Sequence, residues 1–210
     1  MASSSTTPAR RNGIATQHVI FLASENGALP GGKVGGVGDV VRDLPQALAG
    51  EGWRVQVATP SYGTLHRLTG TTMLGVVDAP FRGARHEVEV WRLGGESGVE
   101  NIILHHSLFE DQGAGRIYFG EDGDRPFATD ANKFAFFCAA AAAWIHSLQR
   151  APDVVHLHDW HAASYLPVTH FLPEFESLRS IRTVFTIHNL SYQGTRPLDG
   201  DDSSLAAWFH

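Results

Sequence analysis

GGKVGGVGDVVRDLP, residues 31–45, is the stretch from which the fold can be read. It places five glycines and one lysine between two segments of different period. The segment before it, His18 to Ala23 (HVIFLA), has the length and composition of a buried strand. The segment after it, Val37 to Glu51, carries Val37, Val40, Val41, Leu44, Ala47 and Leu48 at helical spacing. A glycine-rich loop therefore leads from a strand into a helix N-terminus. Such a junction presents backbone N–H groups and a positive dipole end, which suit a phosphate. Glycine lets a ligand approach the backbone closely. Of the 16 lysines and arginines in the chain, only Lys33 and Lys133 are lysines. A compact ammonium in this loop fits a point-charge contact to phosphate. The plainer reading is a glycine turn with a solvated lysine.

Outward from this loop, the chain continues as an α/β domain. Gly50 and Gly52 end the helix, and Arg54 to Pro60 (RVQVATP) reads as a second strand, completing a parallel βαβ unit. From Leu74 to Leu108, short alternating stretches separated by Gly83, Gly94, Gly95 and Gly98 suggest an antiparallel hairpin or meander appended to a mostly parallel sheet. The stretch from Phe109 to Phe127 is long for a loop without structure of its own, which makes it a functional candidate. A helix is expected over Asp130 to Arg150, with Asp130 as its N-cap. Asp153 to Leu157 and Ile181 to His188 read as two more buried strands. His161 to Phe171 reads as a helix that Pro167 kinks or restarts.

Three polar clusters follow strand ends: the Lys33 loop, His158-Asp159-Trp160-His161, and His188-Asn189. In α/β sheets, ligands gather beyond the carboxyl ends of the strands, so these clusters are expected to share one site.

Composition narrows the function. The 210 residues are 43% hydrophobic with a net charge of -6, which argues against nucleic acid as the main partner. No apolar run reaches the length of a membrane span. The single cysteine, Cys138, excludes an intrachain disulfide and fits a reducing compartment; within an alanine-rich helix it reads as a small buried hydrophobe. Residues 1–17 are rich in Ser and Thr, lack an apolar core and read as a disordered tail.

Two nucleotide motifs fail on single residues. GALPGGK, residues 27–33, fits the start of a P-loop, but Val34 stands where a magnesium-binding hydroxyl is needed. Gly36 and Gly38 begin a dinucleotide fingerprint whose third glycine would fall at Val41. The run His156, His158, Asp159, His161 has metal-like spacing and leaves a metal-dependent hydrolase as an alternative.

Together, KVGGVGDV (33–40), DVVHLHDWHAA (153–163) and TIHNLSYQG (186–194) resemble the signatures of the bacterial glycogen synthases and plant starch synthases. The resemblance runs from about His18 to the end of the chain. It implies the N-terminal, Rossmann-like, acceptor-side domain of a retaining GT-B glycosyltransferase, over residues 18–210. The implied reaction is glucosyl transfer from a nucleotide-glucose donor, taken as ADP-glucose, to the non-reducing end of an α-1,4-glucan acceptor. By this resemblance Lys33 contacts the donor's diphosphate or sugar, and Gly35 and Gly36 let the loop pack against it. Asp39 is the motif's aspartate. Asp159 lines the cleft, His188 lies beside the transferred glucose, Tyr118 reaches the glucan, and Asn189 counts among the substrate-binding residues, with holding its own turn as the plainer role. No cofactor and no metal are implied, because cations and amide dipoles carry the leaving-group charge. A cytoplasmic location is implied, or a plastid one in a plant or alga.

Two departures stand out. The loop from Glu25 to Lys33 is longer than the family's S-E-x-x-P-x-x-K form, and Gly38 replaces a usual alanine. The resemblance further implies a C-terminal nucleotide-binding domain absent from these residues, supplied in cis or trans. Alone, the chain is then expected not to transfer glucose, with a glucan-binding remnant as the non-catalytic alternative. It is also expected to expose apolar surface where that domain docks.

Overall fold

The computed structural model describes residues 16–95, 98–120, 125 and 127–209. The expected tail falls almost wholly outside them. The elements run β1 (His18–Leu22), α1 (Gly36–Gly50), β2 (Arg54–Pro60), β3 (Thr72–Phe81), β4 (Ala84–Gly94), β5 (Val99–His105), α2 (Ala128–His146), β6 (Val154–His158), α3 (Trp160–Ala163), α4 (Tyr165–Phe171), β7 (Arg182–Thr186) and α5 (Leu205–Trp208). The strands form one sheet in the order β3-β4-β5-β2-β1-β6-β7. The five strands β5-β2-β1-β6-β7 run parallel to one another. The expected meander is β3-β4-β5, and it is continuous with the sheet: β5 pairs antiparallel with β4 and parallel with β2.

The side-chain alternation of β1 explains the layering. Val19 and Phe21 face α1, packing with Val41, Val55 and Val57. Ile20 and Leu22 face a larger cluster built around α2. A central strand buried on both faces reads as a continuous apolar run, which is how HVIFL reads. Helix α2 is buried around nearly its whole circumference rather than along one stripe. Its alanines let it lie close to both the sheet and the helices α3 and α4. Cys138 is buried in it, and burial pushes the thiol far up, as suits a packing residue.

Three expectations are corrected. Asp130 is not the N-cap of α2; Phe127 is, in a left-handed conformation with φ 68°. Asp130 lies one turn inside, where both carboxylate oxygens accept the Phe119 N–H and one pairs with buried Lys133 at 2.8 Å. Tertiary demand from the 110–120 loop therefore outweighs the capping preference. The expected helix over 161–171 is two short helices that break at Ser164, and Pro167 falls in the first turn of the second, where its missing N–H is harmless. Finally, β7 is an edge strand, not a buried one: it pairs only with β6, and Val184 and Phe185 on opposite faces are both more than 40% exposed. Its apolar composition suits a covered strand, but none of the described residues covers it.

Candidate functional site

The chain leaves β1 toward β2 on one side of the sheet and returns through β6 on the other. The crevice between β1 and β6 is thus the topological switch point, where open α/β sheets bind ligands. The Lys33 loop follows β1, His158 and Asp159 end β6, and His188 follows β7. The parallel pairing brings all three to one edge of the sheet.

The glycine loop is organised by a residue that the sequence did not single out. Glu25, buried just past β1, accepts the Val34 and Gly35 N–H groups through Oε2 at 2.8 and 2.6 Å. Its Oε1 accepts the Tyr118 hydroxyl at 2.7 Å. An internal carboxylate therefore already holds two amides that the sequence suggested for phosphate. The helix N-cap at Gly35 makes no side-chain hydrogen bond, so the first-turn amides beyond it keep their outward dipole. Lys33 pairs with Asp39, both carboxylate oxygens lying 2.6 Å from Nζ, and the pair is about 40% exposed. The Lys33 hydrogen bond holds the Asp39 carboxyl below its ordinary range.

The two departures in this loop belong together. Residues 26–32 close on themselves through Asn26 N–H to Gly32 C=O at 2.7 Å, with Leu29 buried beneath and Asn26 bonded to Asn101 at 2.8 Å. A Cβ at Gly38 would lie 2.7 Å from Lys33 Cγ and 3.1 Å from Glu25 Oε2. Gly38 is thus required by the packing of Lys33 against α1. Gly35 packs on Glu25, whereas a Cβ at Gly36 would meet open space.

The other side of the crevice is built on a strained residue. Asp159 has φ 56° and ψ -179°, a region almost confined to glycine. Its carboxylate accepts the His188 N–H at 2.7 Å and the Asn189 N–H at 3.4 Å. His158 Nδ1 lies 2.8 Å from His188 Nε2. Burial, then the neighbouring His156 and His188, pushes His158 down to about 3, and burial does the same to His161. Both rings are therefore neutral at pH 7. The Asn189 side chain accepts the Ser191 N–H, which holds its own turn. Gly194, with φ 59°, lies against the Trp160 ring with no room for a Cβ, which accounts for the final glycine of TIHNLSYQG.

Tyr118 joins the two sides. Its hydroxyl meets both Glu25 and Ser24, and its ring lies 5.1 Å from that of His161. Burial pushes its phenol far up, so it stays a donor. Tyr62, itself at φ 48°, buttresses the end of β1 by donating to Ser24 C=O at 2.6 Å. The link from the glycine loop to the histidines thus runs through Glu25, Tyr118 and His161. For Glu25 the sequence signal was its place as the glutamate of the S-E-x-x-P-x-x-K form, which carried no role for it; Tyr62 had none.

The metal reading loses its geometry. His156 and His158 share one face of β6, as strand periodicity requires, with His156 bonded to Thr186 Oγ1 at 2.8 Å. His161 instead packs among Tyr118, Phe134 and Trp160. Among the described residues, no three or more His, Cys, Asp or Glu side chains are grouped to hold a metal ion.

Comparison with known proteins agrees with the three motifs. Residues 18–210 match the family model for the starch synthase catalytic domain. A glycogen synthase of Anaeromyxobacter dehalogenans is 38% identical over 185 residues, covering 85% of this chain and 36% of that protein. A glycogen synthase of Moorella thermoacetica is 35% identical, covering 85% of this chain and 34% of that one. Among solved structures, the catalytic domain of starch synthase IV from Arabidopsis thaliana, bound to ADP and acarbose, matches with a TM-score of 0.73 at 30% identity. That match covers 87% of this chain and 36% of the other. The chain spans about a third of the length of these relatives.

Proposed function

The chain belongs to the family of starch and glycogen synthases, and from that premise we propose that it serves glucosyl transfer from a nucleotide-glucose to an α-1,4-glucan, with retention. The observation that carries this reading is the meeting of the three motif clusters at the β1/β6 switch point, tied together by Glu25, Tyr118 and Asp159. The homologous domain solved with ADP and acarbose supports an adenine nucleotide donor. Each residue then takes a role. Lys33 gives up Asp39 to meet the leaving diphosphate, and the first-turn amides of α1 add their dipole. Asp159 fixes the backbone on which His188 faces the transferred glucose. Tyr118 and Asn189 border the acceptor side, Gly36 leaves room for the donor, and Gly35 lets the loop close on Glu25.

These residues form one wall of a cleft. The other wall lies outside them, in cis or in trans, in a second domain that grips the nucleotide. The exposed apolar side chains of Ile187, Leu190, Tyr192 and Leu198, beyond β7, suit contact with such a partner. Location follows the host: cytoplasmic in a bacterium, plastidial in a plant. No helix among the described residues is long and apolar enough to cross a membrane.

Calorimetry on the 210-residue chain tests this. A linear α-1,4-oligosaccharide and ADP-glucose should each bind, and Lys33→Ala should lose only the nucleotide sugar. Radiolabelled ADP-glucose with glycogen should give no elongation. Absence of binding by both ligands would remove the reading.

A further inference from the structure

We propose that His158 is a positioning residue that fixes the tautomer of His188, so that His188 turns an Nδ1–H donor, not a lone pair, toward the cleft. The tautomer follows from the structure alone; the donor's use on a glucose oxygen rests on the proposed function.

The two rings are nearly parallel, 15° apart, with His158 Nδ1 2.8 Å from His188 Nε2. One proton lies between these two nitrogens. His158 is fully buried, stacked on Phe21 at 5.3 Å and beside His156 at 4.3 Å. The titratable groups that act on it are the imidazoles of His156 and His188, with no carboxylate among them. Held neutral by burial, His158 carries one proton. Its Nε2 is buried and finds no partner among the described residues. His156 is not that partner; its Nε2 bonds to Thr186 Oγ1 instead.

Two tautomers remain for His158. A proton on Nε2 would leave a buried N–H without an acceptor, while Nδ1 would act only as an acceptor. A proton on Nδ1 makes the 2.8 Å hydrogen bond and leaves only a lone pair unmet. Buried donors are orphaned more rarely than acceptors are under-satisfied. His158 therefore donates from Nδ1, and His188 Nε2 accepts. A neutral His188 must then carry its own proton on Nδ1. The backbone that carries the ring is fixed, because the His188 main-chain N–H is held by Asp159 Oδ1 at 2.7 Å. His188 is half-buried, so its remaining face is open to a ligand. An N–H there selects an acceptor, such as a hexose hydroxyl oxygen.

Long-range ¹⁵N–¹H correlation spectra of the ¹⁵N-histidine-labelled full chain at pH 7 read the tautomers directly. The expected result is pyrrole-type shifts for Nδ1 and pyridine-type shifts for Nε2 in both His158 and His188. Pyrrole-type Nε2 in His188, or averaged shifts, overturns the proposal. His158→Asn keeps an amide donor at the Nδ1 position and should preserve the His188 pattern. His158→Phe should move the His188 proton to Nε2; an unchanged pattern overturns the proposal. Affinity for an α-1,4-oligosaccharide should stay within about threefold in the Asn variant and fall about tenfold in the Phe variant, the worth of one hydrogen bond. Equal losses in both would mean a purely structural role and overturn it. If the Phe variant does not fold, the wild-type and Asn spectra decide. If the wild-type chain binds no glucan and no nucleotide sugar, the proposed function fails while the spectra still decide the tautomer.

Discussion

The two sides of the crevice are held in opposite ways. The glycine loop is held by charge: a buried carboxylate, Glu25, collects two backbone amides and a tyrosine hydroxyl, and the cation Lys33 stays outside on an exposed aspartate. The histidine corner is held by neutrality and strain: two imidazoles stripped of charge by burial sit beside an aspartate in a backbone region suited to glycine. A loop whose cation is only surface-paired can hand that cation to a ligand at little cost. A corner that is locked by buried neutral rings cannot move without partial unfolding. One side is thus built to exchange partners and the other to keep a fixed geometry.

Acidification should separate the sides most strongly. The pKa values of His158 and His161 are pushed down to about 3 from an ordinary value of 6.5, so the unfolded chain binds protons that the folded chain refuses. Stability is unaffected above pH 6.5 and falls as pH drops below it, until the folded values are reached. Urea titrations should show a loss of about 3 kcal/mol between pH 6.5 and pH 5, from these two rings. A flat profile would mean that the corner is not neutral.

Removing the internal anion comes next. Glu25→Ala leaves two amides and the Tyr118 hydroxyl without their acceptor and should cost about 2–3 kcal/mol. Glu25→Gln should cost less, about 1 kcal/mol, because its amide oxygen can still accept both N–H groups and its NH2 can donate to the Tyr118 hydroxyl, so that mainly the charge is lost. Full stability of the Gln variant would show that charge does not hold the loop.

Strain at Asp159 is tested by a pair of variants. Asp159→Gly and Asp159→Ala both lose the hydrogen bonds to His188 and Asn189, but only glycine relieves the backbone. The Gly variant should be about 1–2 kcal/mol more stable than the Ala variant in chemical denaturation. Equal stabilities would remove the claim of strain.

The smallest effect on stability should come from Lys33→Ala, whose unfolding midpoint should match the parent. A marked drop would make Lys33 a structural residue.

Much of this was legible because it is local. The period change from HVIFL to residues 37–51 sets the strand–loop–helix unit, and the run of βαβ segments sets the sheet. The placement of Lys33, Asp159 and His188 at one edge of the sheet was legible through their positions after strand ends. What escaped was tertiary. Glu25 was one acidic residue beside a loop, and only the fold shows that its carboxylate faces the loop's amides. Asp130 has the composition of an N-cap, but the 110–120 loop claims it. The exposure of β7 was hidden because an apolar run reports what a strand is suited to pack against, not what covers it. The strain at Asp159 leaves no trace in composition, since glycine is the residue that φ 56° would suggest.

If the Lys33 loop and the His188 corner serve one ligand site, amide chemical-shift mapping of the labelled chain during titration with ADP-glucose will show it. Residues 33–36 and residues 188–189 should shift together along a single binding curve. Shifts confined to one cluster, or two curves with different midpoints, would contradict it.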